Sequence, residues 1–152
     1  MRIRRVRPGD LDEVLDIEHR SMPDPWQAAA VAGELQVANS VGWVALAAGR
    51  VQGYAFFRTC RPECELLRLA IEPESRRGGL GSALLDEALG SLTKEGYTCC
   101  YLEVRRSNEG AYRLYERSGF RQTGLRKNYY SQPVEDAAQL CRALNGNKGG
   151  ML

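Results

Sequence analysis

The sequence contains a single histidine, His19, among 152 residues. Catalytic triads of the Ser-His-Asp kind and most zinc sites use histidine, so we expect neither. An excess of charge is also missing, because 21 Lys and Arg against 19 Asp and Glu leave a net charge of +2. That balance gives no argument for direct nucleic-acid binding. No apolar run approaches the roughly 20 residues of a membrane helix, and the basic N-terminus lacks the apolar stretch of a secretory signal.

The cysteines are few and odd in number: Cys60, Cys64, Cys99, Cys100 and Cys141. Without an export signal, this predicts reduced thiols in a cytoplasmic protein. Cys60 and Cys64 have no second pair and no histidine nearby, so we expect no metal site. Cys99 and Cys100 lie in an apolar run, where cysteine is usually a small buried side chain.

The length predicts one domain, which we place at residues 1–145, followed by a flexible tail at 146–152 of glycine-rich composition. Alternating apolar and basic residues predict an edge strand from Ile3 to Arg7. Pro8-Gly9-Asp10 predicts a turn with Asp10 as the N-cap of a helix to about Arg20. A second helix is predicted from Trp26 to about Val37.

Strand and helix patterns then alternate. Two runs around Gly49-Arg50 predict a β-hairpin, and the later strand, helix, strand order predicts a parallel β-α-β unit with a right-handed crossover. Gly119 is typical of a helix end. The chain is therefore expected to form an α/β fold, a mixed and mostly antiparallel sheet with flanking helices. The predicted strands are 41–48, 51–58, 65–71, 97–104, 120–124, 127–131 and 137–144, and the predicted helices are 80–94 and 108–117.

A glycine-rich turn joins the third strand of this pattern to the next helix. It reads Arg76-Arg77-Gly78-Gly79-Leu80-Gly81-Ser82. Backbone N–H groups at such a helix start bind phosphate, most naturally a pyrophosphate. The three glycines let the backbone approach a ligand, and the two arginines add charge at the rim. The P-loop and dinucleotide-binding patterns both fail here. A tight turn with solvated arginines is the alternative.

Two residues suggest acid–base chemistry. Glu103 ends a strand that should lie between helices, where partial burial raises a carboxyl pKa and makes a usable base. The alternative is a salt bridge to Arg105 or Arg68. Tyr115 lies on an apolar helix face, either as a core residue or as a proton donor to a leaving group.

For three further residues, the sequence allows both a structural and a functional interpretation. Asn108 is a helix cap or a ligand contact. Tyr129 and Tyr130 are a cross-strand packing pair or one wall of a substrate groove.

These segments resemble a known family. The stretch Arg76 to Gly81 resembles motif A of the GNAT acyltransferase superfamily. Leu102-Glu-Val-Arg105, Ser118-Gly-Phe120, Arg126-Lys-Asn-Tyr-Tyr130 and Pro25-Trp26 are similar to the RimI-type N-α-acetyltransferases. The resemblance covers nearly the whole chain. It departs at Arg68, where the family often has Asn, and in residues 21–25, which help to form the acceptor site.

The resemblance implies the GNAT fold and transfer of an acetyl group from acetyl-CoA to the N-terminal amine of a protein. The family's bacterial archetype acetylates the N-terminal alanine of small-subunit ribosomal protein eighteen. The implied partners are thus acetyl-CoA and a ribosomal protein, with no metal, membrane or nucleic acid, in a monomer or weak dimer. Acetylation of a lysine or of a small amine, and a non-catalytic acyl-CoA-binding module, remain alternatives.

By position, the resemblance also implies roles. Glu103 is the general base and Tyr115 the general acid toward the thiolate. The acyl-CoA contacts are Leu69, Ala70 and Ile71 for the pantetheine arm, Arg76, Arg77, Gly78, Gly79, Leu80, Gly81 and Ser82 for the pyrophosphate, and Asn108 and Tyr115. The acceptor contacts are Trp26, Tyr129 and Tyr130.

Overall fold

The structure is a computed structural model that describes residues 1–22, 25–76, 78–131 and 133–144. The predicted tail at 146–152 lies outside these ranges. The strands are β1 (Arg2–Arg5), β2 (Ser40–Ala47), β3 (Arg50–Cys60), β4 (Glu63–Ile71), β5 (Cys99–Arg105), β6 (Arg121–Tyr130) and β7 (Glu135–Ala143). The helices are α1 (Leu11–Ser21), α2 (Ala28–Gln36), α3 (Leu80–Lys94) and α4 (Glu109–Arg117). Within the described ranges, no helix is long and apolar enough to cross a membrane.

The strands form one sheet in the order β1-β2-β3-β4-β5-β7-β6. Neighbours are antiparallel except β4 and β5, which are parallel and joined through α3. The mixed, mostly antiparallel sheet predicted from the sequence is therefore confirmed. So is the hairpin, although its two-residue turn is Ala48-Gly49 and not the predicted Gly49-Arg50; the φ angles of these two residues are 53° and 75°. That conformation matches the right-handed twist of the strands it connects.

Two hydrophobic cores lie on opposite faces of the sheet. Helix α3 buries the face that carries Leu84, Leu85 and Leu89 in the larger core, to which α4 contributes Tyr115. Its bounds, Leu80–Lys94, are those that the apolar periodicity predicts. The smaller core lies under α1 and α2 on the other face and includes Val14, Ile17 and Val31.

The parallel pair β4–β5 separates soon after it begins. Pairing covers only Glu63–Glu65 with Cys99–Tyr101. On the other side of β4, Phe57 pairs with Leu66 and Phe56 with Arg68, so Leu67 is an extra, bulged residue. A bulge bends its strand and increases the local twist. From residue 66 to 71, the edge of β4 that faces β5 thus has no partner strand among the described residues, and a cleft opens between the two strands.

The N-terminal predictions need two corrections. The first strand ends at Arg5 instead of Arg7. Asp10 stands at the N-cap of α1, but its side chain does not cap that helix. It accepts a hydrogen bond from the Arg7 backbone N–H (2.8 Å) and pairs with Arg4 (2.9 Å). The carboxylate therefore closes the turn before the helix, and its pKa is held below its usual range by Arg4.

Two other element predictions were wrong because tertiary contacts override local pattern. Trp26 precedes α2, which begins at Ala28. Its ring packs on Phe56 (6.2 Å between centroids), and its backbone N–H donates to Glu18, so this residue is held outside the helix. The two predicted strands 120–124 and 127–131 form one strand, β6, since pairing with β7 continues through Leu125 and Arg126, which lie between them.

A buried ion pair stabilises the sheet beneath the cleft. The carboxylate of Glu18 on α1 is 1% exposed and receives hydrogen bonds from the Tyr54 hydroxyl, the Trp26 backbone N–H (2.8 Å) and the Arg68 guanidinium (2.6 and 3.0 Å). The guanidinium of Arg68 also lies over the Trp26 ring, 4.8 Å from its centroid. These contacts hold α1 and Trp26, just before α2, against β3 and β4.

We expect Arg68→Met to lower the free energy of unfolding by about 3 kcal/mol, because it leaves Glu18 as a buried carboxylate without its cation. The value is at the lower end of the usual range since the Arg68 side chain is 21% exposed. Urea unfolding followed by circular dichroism measures the change. Asp16→Asn is the matched control, because it breaks only the exposed pair with Arg20 and should leave the midpoint nearly unchanged. Equal losses in both variants would contradict the assignment.

Candidate active site

The cleft between β4 and β5 has a volume of about 230 Å³. It is lined by Met22, Leu66, Leu67, Arg68, Leu69, Leu102, Glu103, Val104, Arg105, Asn108, Ala111, Tyr115 and Tyr130. Five residues predicted from the sequence therefore meet here: Leu69, Glu103, Asn108, Tyr115 and Tyr130. Ala70 and Ile71 have their side chains in the two cores on opposite faces, so they offer the cleft only backbone groups.

The glycine-rich turn leads from the end of β4 into α3. Gly79 is the N-cap of the helix, with φ of +82°, a conformation that favours glycine. Gly78 and Gly79 are exposed. The first backbone N–H groups of α3 have no partner within a helix and lie at its positive end, which suits a phosphate. Arg77 lies outside the described residues.

Two residues of this turn have packing roles that the sequence did not predict. A Cβ on Gly81 would lie 3.3 Å from Leu114 Cδ2 and 3.6 Å from Ile71 Cγ1. Gly81 thus permits the close approach of α3 to α4 and β4. The exposed Arg76 donates from Nε to the carbonyl of Ile71 (3.1 Å), which fixes the turn to the end of the strand.

Tyr115 fits both interpretations that the sequence allowed, a core residue and a proton donor. Its ring is 7% exposed and packs edge-on against Phe120, 5.9 Å between centroids, so it is a core residue that also lines the cleft. Burial, and to a lesser extent Tyr130 and Cys100, raise the pKa of its phenol above the ordinary value. The group is therefore a neutral O–H donor at physiological pH.

Asn108 caps α4 by accepting from the Ala111 N–H (3.2 Å).

Glu103 lies on the other face of β5, since Leu102 and Val104 point into the larger core. Its side chain is 17% exposed, and Oε2 lies 2.6 Å from Arg126 Nε. Gln139 Nε2 donates to the same oxygen at 3.2 Å. The predicted salt bridge is confirmed, but both predicted partners were wrong. Arg68 pairs with Glu18 and Arg105 with Glu135, at 2.6 and 3.3 Å.

A second cavity of about 290 Å³ opens on the Glu103 side of the sheet. Its lining includes Glu65, Glu103, Arg126 and Gln139. Because Glu103 also lines the first cleft, this carboxylate stands between the two spaces. A molecule that enters from this side reaches Glu103 without passing the glycine-rich turn.

Of the predicted acceptor contacts, Tyr130 lines the cleft beneath the guanidinium of Arg105, 4.3 Å from its ring centroid. Burial, followed by the charge of Glu103, raises its pKa to about 12. Tyr129 packs edge-on against Tyr130 at 5.0 Å and is 49% exposed. Trp26 is not among the described residues that line the cleft.

The sequence did not predict that Arg126 and Gln139 contact Glu103, although Arg126 begins one of the segments quoted for the resemblance. Both lie on strands that follow Glu103 by more than twenty residues, and β7 lies between β5 and β6. Arg126 reaches Glu103 across that strand, so no local pattern indicates the pair. Arg105 stood inside a segment that the sequence singled out, but its stacking on Tyr130 depends on the return of the chain through β6 and β7.

The sequence matches the Acetyltransferase (GNAT) family over residues 11–120. The [ribosomal protein bS18]-alanine N-acetyltransferase of Escherichia coli K12 is 34% identical over 137 residues, which span 90% of each chain. The crystal structure of the E. coli ribosomal-protein-S18-alanine N-acetyltransferase superposes with a TM-score of 0.90 at 29% identity, over 99% of this chain and 98% of that one. Ard1 from Thermoplasma volcanium superposes with a TM-score of 0.86 at 29% identity, over 93% and 96% of the two chains.

The chain therefore belongs to the GNAT acetyltransferase family, as the resemblance of its motifs predicted, and it is an acetyl-CoA-dependent N-acetyltransferase. A phosphinothricin acetyltransferase from Sinorhizobium meliloti, crystallised with acetyl-CoA, shares the fold with a TM-score of 0.84 at 24% identity, over 99% of this chain and 91% of that one.

We expect Tyr115 to remain un-ionised in the folded protein up to at least about pH 10, the ordinary tyrosine pKa. Burial penalises the charged tyrosinate, so the pKa of Tyr115 is higher in the folded protein than in the unfolded chain. Ultraviolet difference titration of the parent against Tyr115→Phe isolates this phenol. The urea-unfolded pair is the control and should show ionisation near pH 10. A tyrosinate signal from the folded protein at lower pH would refute the expectation.

Proposed function

We propose that this chain acetylates the N-terminal amine of a protein, and that its acceptor is ribosomal protein bS18 with an N-terminal alanine. The observation that carries the proposal is the placement of Glu103 and Tyr115. They approach one cleft from opposite faces of β5. The acceptor is supported by the named activity of the E. coli relative, which is 34% identical over 90% of both chains. Such a reaction would take place in the cytoplasm, where ribosomal proteins are made.

The donor side of the cleft fits an acyl-CoA. From residue 66 to 71, the edge of β4 that faces β5 has no partner strand in the described part of the chain, so its backbone N–H and C=O groups suit the amide groups of a pantetheine arm. At the end of this strand, the turn at Gly78 and Gly79 and the start of α3 present N–H groups to a pyrophosphate. The acyl group would then lie in the cleft between Glu103 and Tyr115.

The acceptor chemistry suits a single carboxylate. An N-terminal amine has a pKa of about 7.7–8.0, against about 10.4 for lysine, so roughly a tenth to a fifth of it is neutral at pH 7. Glu103, directly or through a water, removes the remaining proton as the amine nitrogen attacks the acyl carbon. A backbone N–H of β4 stabilises the developing oxyanion. Tyr115 then donates its proton to the sulfur as the carbon–sulfur bond breaks.

The first test separates catalysis from donor binding. We expect Glu103→Gln and Tyr115→Phe each to lower kcat by about 10²- to 10⁴-fold, the usual contribution of a general base or acid. The dissociation constant of CoA, measured by calorimetry, should change little in either variant. The matched controls on α4 are Glu116→Gln and Tyr112→Phe, whose side chains lie outside the described lining of the cleft. Parent-like turnover in both active-site variants would exclude these roles.

The second test identifies the acceptor. We expect acetyl-CoA turnover on a peptide with the N-terminal sequence of bS18 to exceed that on the same peptide begun with Met or Gly. A peptide with a blocked N-terminus and an internal lysine should be at least 100-fold slower, because about one lysine in 2,500 is neutral at pH 7. Mass spectrometry of the product locates the acetyl group. Comparable acetylation of the blocked peptide would show that a lysine is the acceptor.

A further inference from the structure

The carboxylate proposed as the base is already occupied by a cation of the protein itself. Arg126 Nε lies 2.6 Å from Glu103 Oε2, the same oxygen that accepts from Gln139. An oxygen engaged by two donors is poorly placed to receive a proton from an amine. The guanidinium of Arg126 therefore has to leave Glu103, or share it, when an acceptor amine arrives.

Several features make this ion pair easy to open. The Arg126 side chain is 55% exposed, and β6 is the edge strand of the sheet. Pairing of β6 with β7 is irregular between Arg126 and Tyr130, where Asn128 has a positive φ of 52°. Ion pairs with an exposed partner contribute little to stability. The guanidinium can therefore move into solvent without disturbing a core.

An incoming N-terminus carries the same charge as Arg126. At pH 7 most of the amine is an ammonium ion, and it enters the cavity in which Arg126 and Glu103 face each other. Ammonium and guanidinium thus compete for one carboxylate. Among the described residues, the charged and titratable groups around Glu103 belong to both cavities. They are Glu65, Tyr101, Arg126 and Tyr129 on one side, and Arg68, Arg105, Tyr115 and Tyr130 on the other.

We propose that Arg126 is a placeholder for the acceptor's ammonium group, a specificity-determining residue that neutralises Glu103 while the acceptor side is empty and yields it when a protein N-terminus binds. Exchange of one cation for another keeps the local charge constant, so a carboxylate in a partly buried site is never left unpaired. The inference rests on the proposed function for the identity of the acceptor. The placeholder role also predicts that removal of Arg126 does not increase the binding affinity of peptides with a neutral N-terminus.

The test measures binding without transfer. Isothermal calorimetry in the presence of CoA gives the dissociation constant of a bS18 N-terminal peptide and of the same peptide N-acetylated. We expect Arg126→Gln to bind the free-amine peptide about two- to fivefold more tightly than the parent, as suits the loss of a weak competing ion pair. The acetylated peptide should bind both proteins equally. The gain should vanish at about pH 9.5, where the amine is neutral.

The tyrosines near Glu103 have pKa values that are shifted upward, away from the pH range of this experiment. The charge of Glu103 raises the pKa of Tyr129. Burial raises that of Tyr130 to about 12, and hydrogen bonding to Cys99 raises that of Tyr101. All three shifts move the phenol pKa further above the range from pH 7 to 9.5, over which the acceptor amine loses its charge.

Two variants complete the experiment. Lys127→Gln removes one positive charge from the same strand, at a side chain that lies 3.9 Å from Asp136, and should leave both dissociation constants unchanged. Arg126→Lys keeps the cation and should resemble the parent. Weaker or unchanged binding of the free-amine peptide by Arg126→Gln, or an equal gain in Lys127→Gln, would overturn the placeholder role. Turnover measured in parallel reports the proposed function separately, since binding of the peptide does not require transfer.

Discussion

The separation of β4 from β5 after three residue pairs determines where everything else in the site can lie. The bulge at Leu67 turns β4 away from its parallel neighbour and leaves one edge of its backbone without a partner strand in the described part of the chain. Unpaired backbone groups in a buried position are costly. In the proposed function the amide groups of an acyl-CoA would satisfy them, so the irregularity of the sheet that creates the cleft would also suit it to the donor.

The two candidate catalytic residues differ because β5 separates their surroundings. Tyr115 belongs to the larger apolar core, where burial favours the neutral phenol, so its O–H is present at physiological pH. Glu103 lies among polar side chains on the opposite face, where Arg126 and Gln139 bind the carboxylate. Contrasting environments on the two sides of one strand thus separate a proton donor from a proton acceptor.

The buried pair of Glu18 and Arg68 gives the acceptor side a rigid base. Arg68 stands where the resemblance leads us to expect Asn, and in this structure it pairs with a carboxylate on α1. Glu18 also accepts from the backbone N–H of Trp26, and Arg68 stacks on the Trp26 ring, so the pair fixes the position of this residue just before α2. The influence of the pair on the acceptor, if the chain acts as proposed, is exerted through Trp26.

Local patterns in the sequence determined the bounds of α3, the presence of the β2–β3 hairpin and the end of α4, which Gly119 follows with a φ of +95°. Each depends on residues adjacent in the chain, through helical periodicity, a two-residue turn or one left-handed conformation. Motifs also indicated Glu103, Tyr115 and the glycine-rich turn. Only the tertiary structure decided the partner of Glu103, the packing role of Gly81, the place of Trp26 and the continuity of β6. These depend on which strands become neighbours, and the order β5-β7-β6 brings together side chains that no short-range pattern relates.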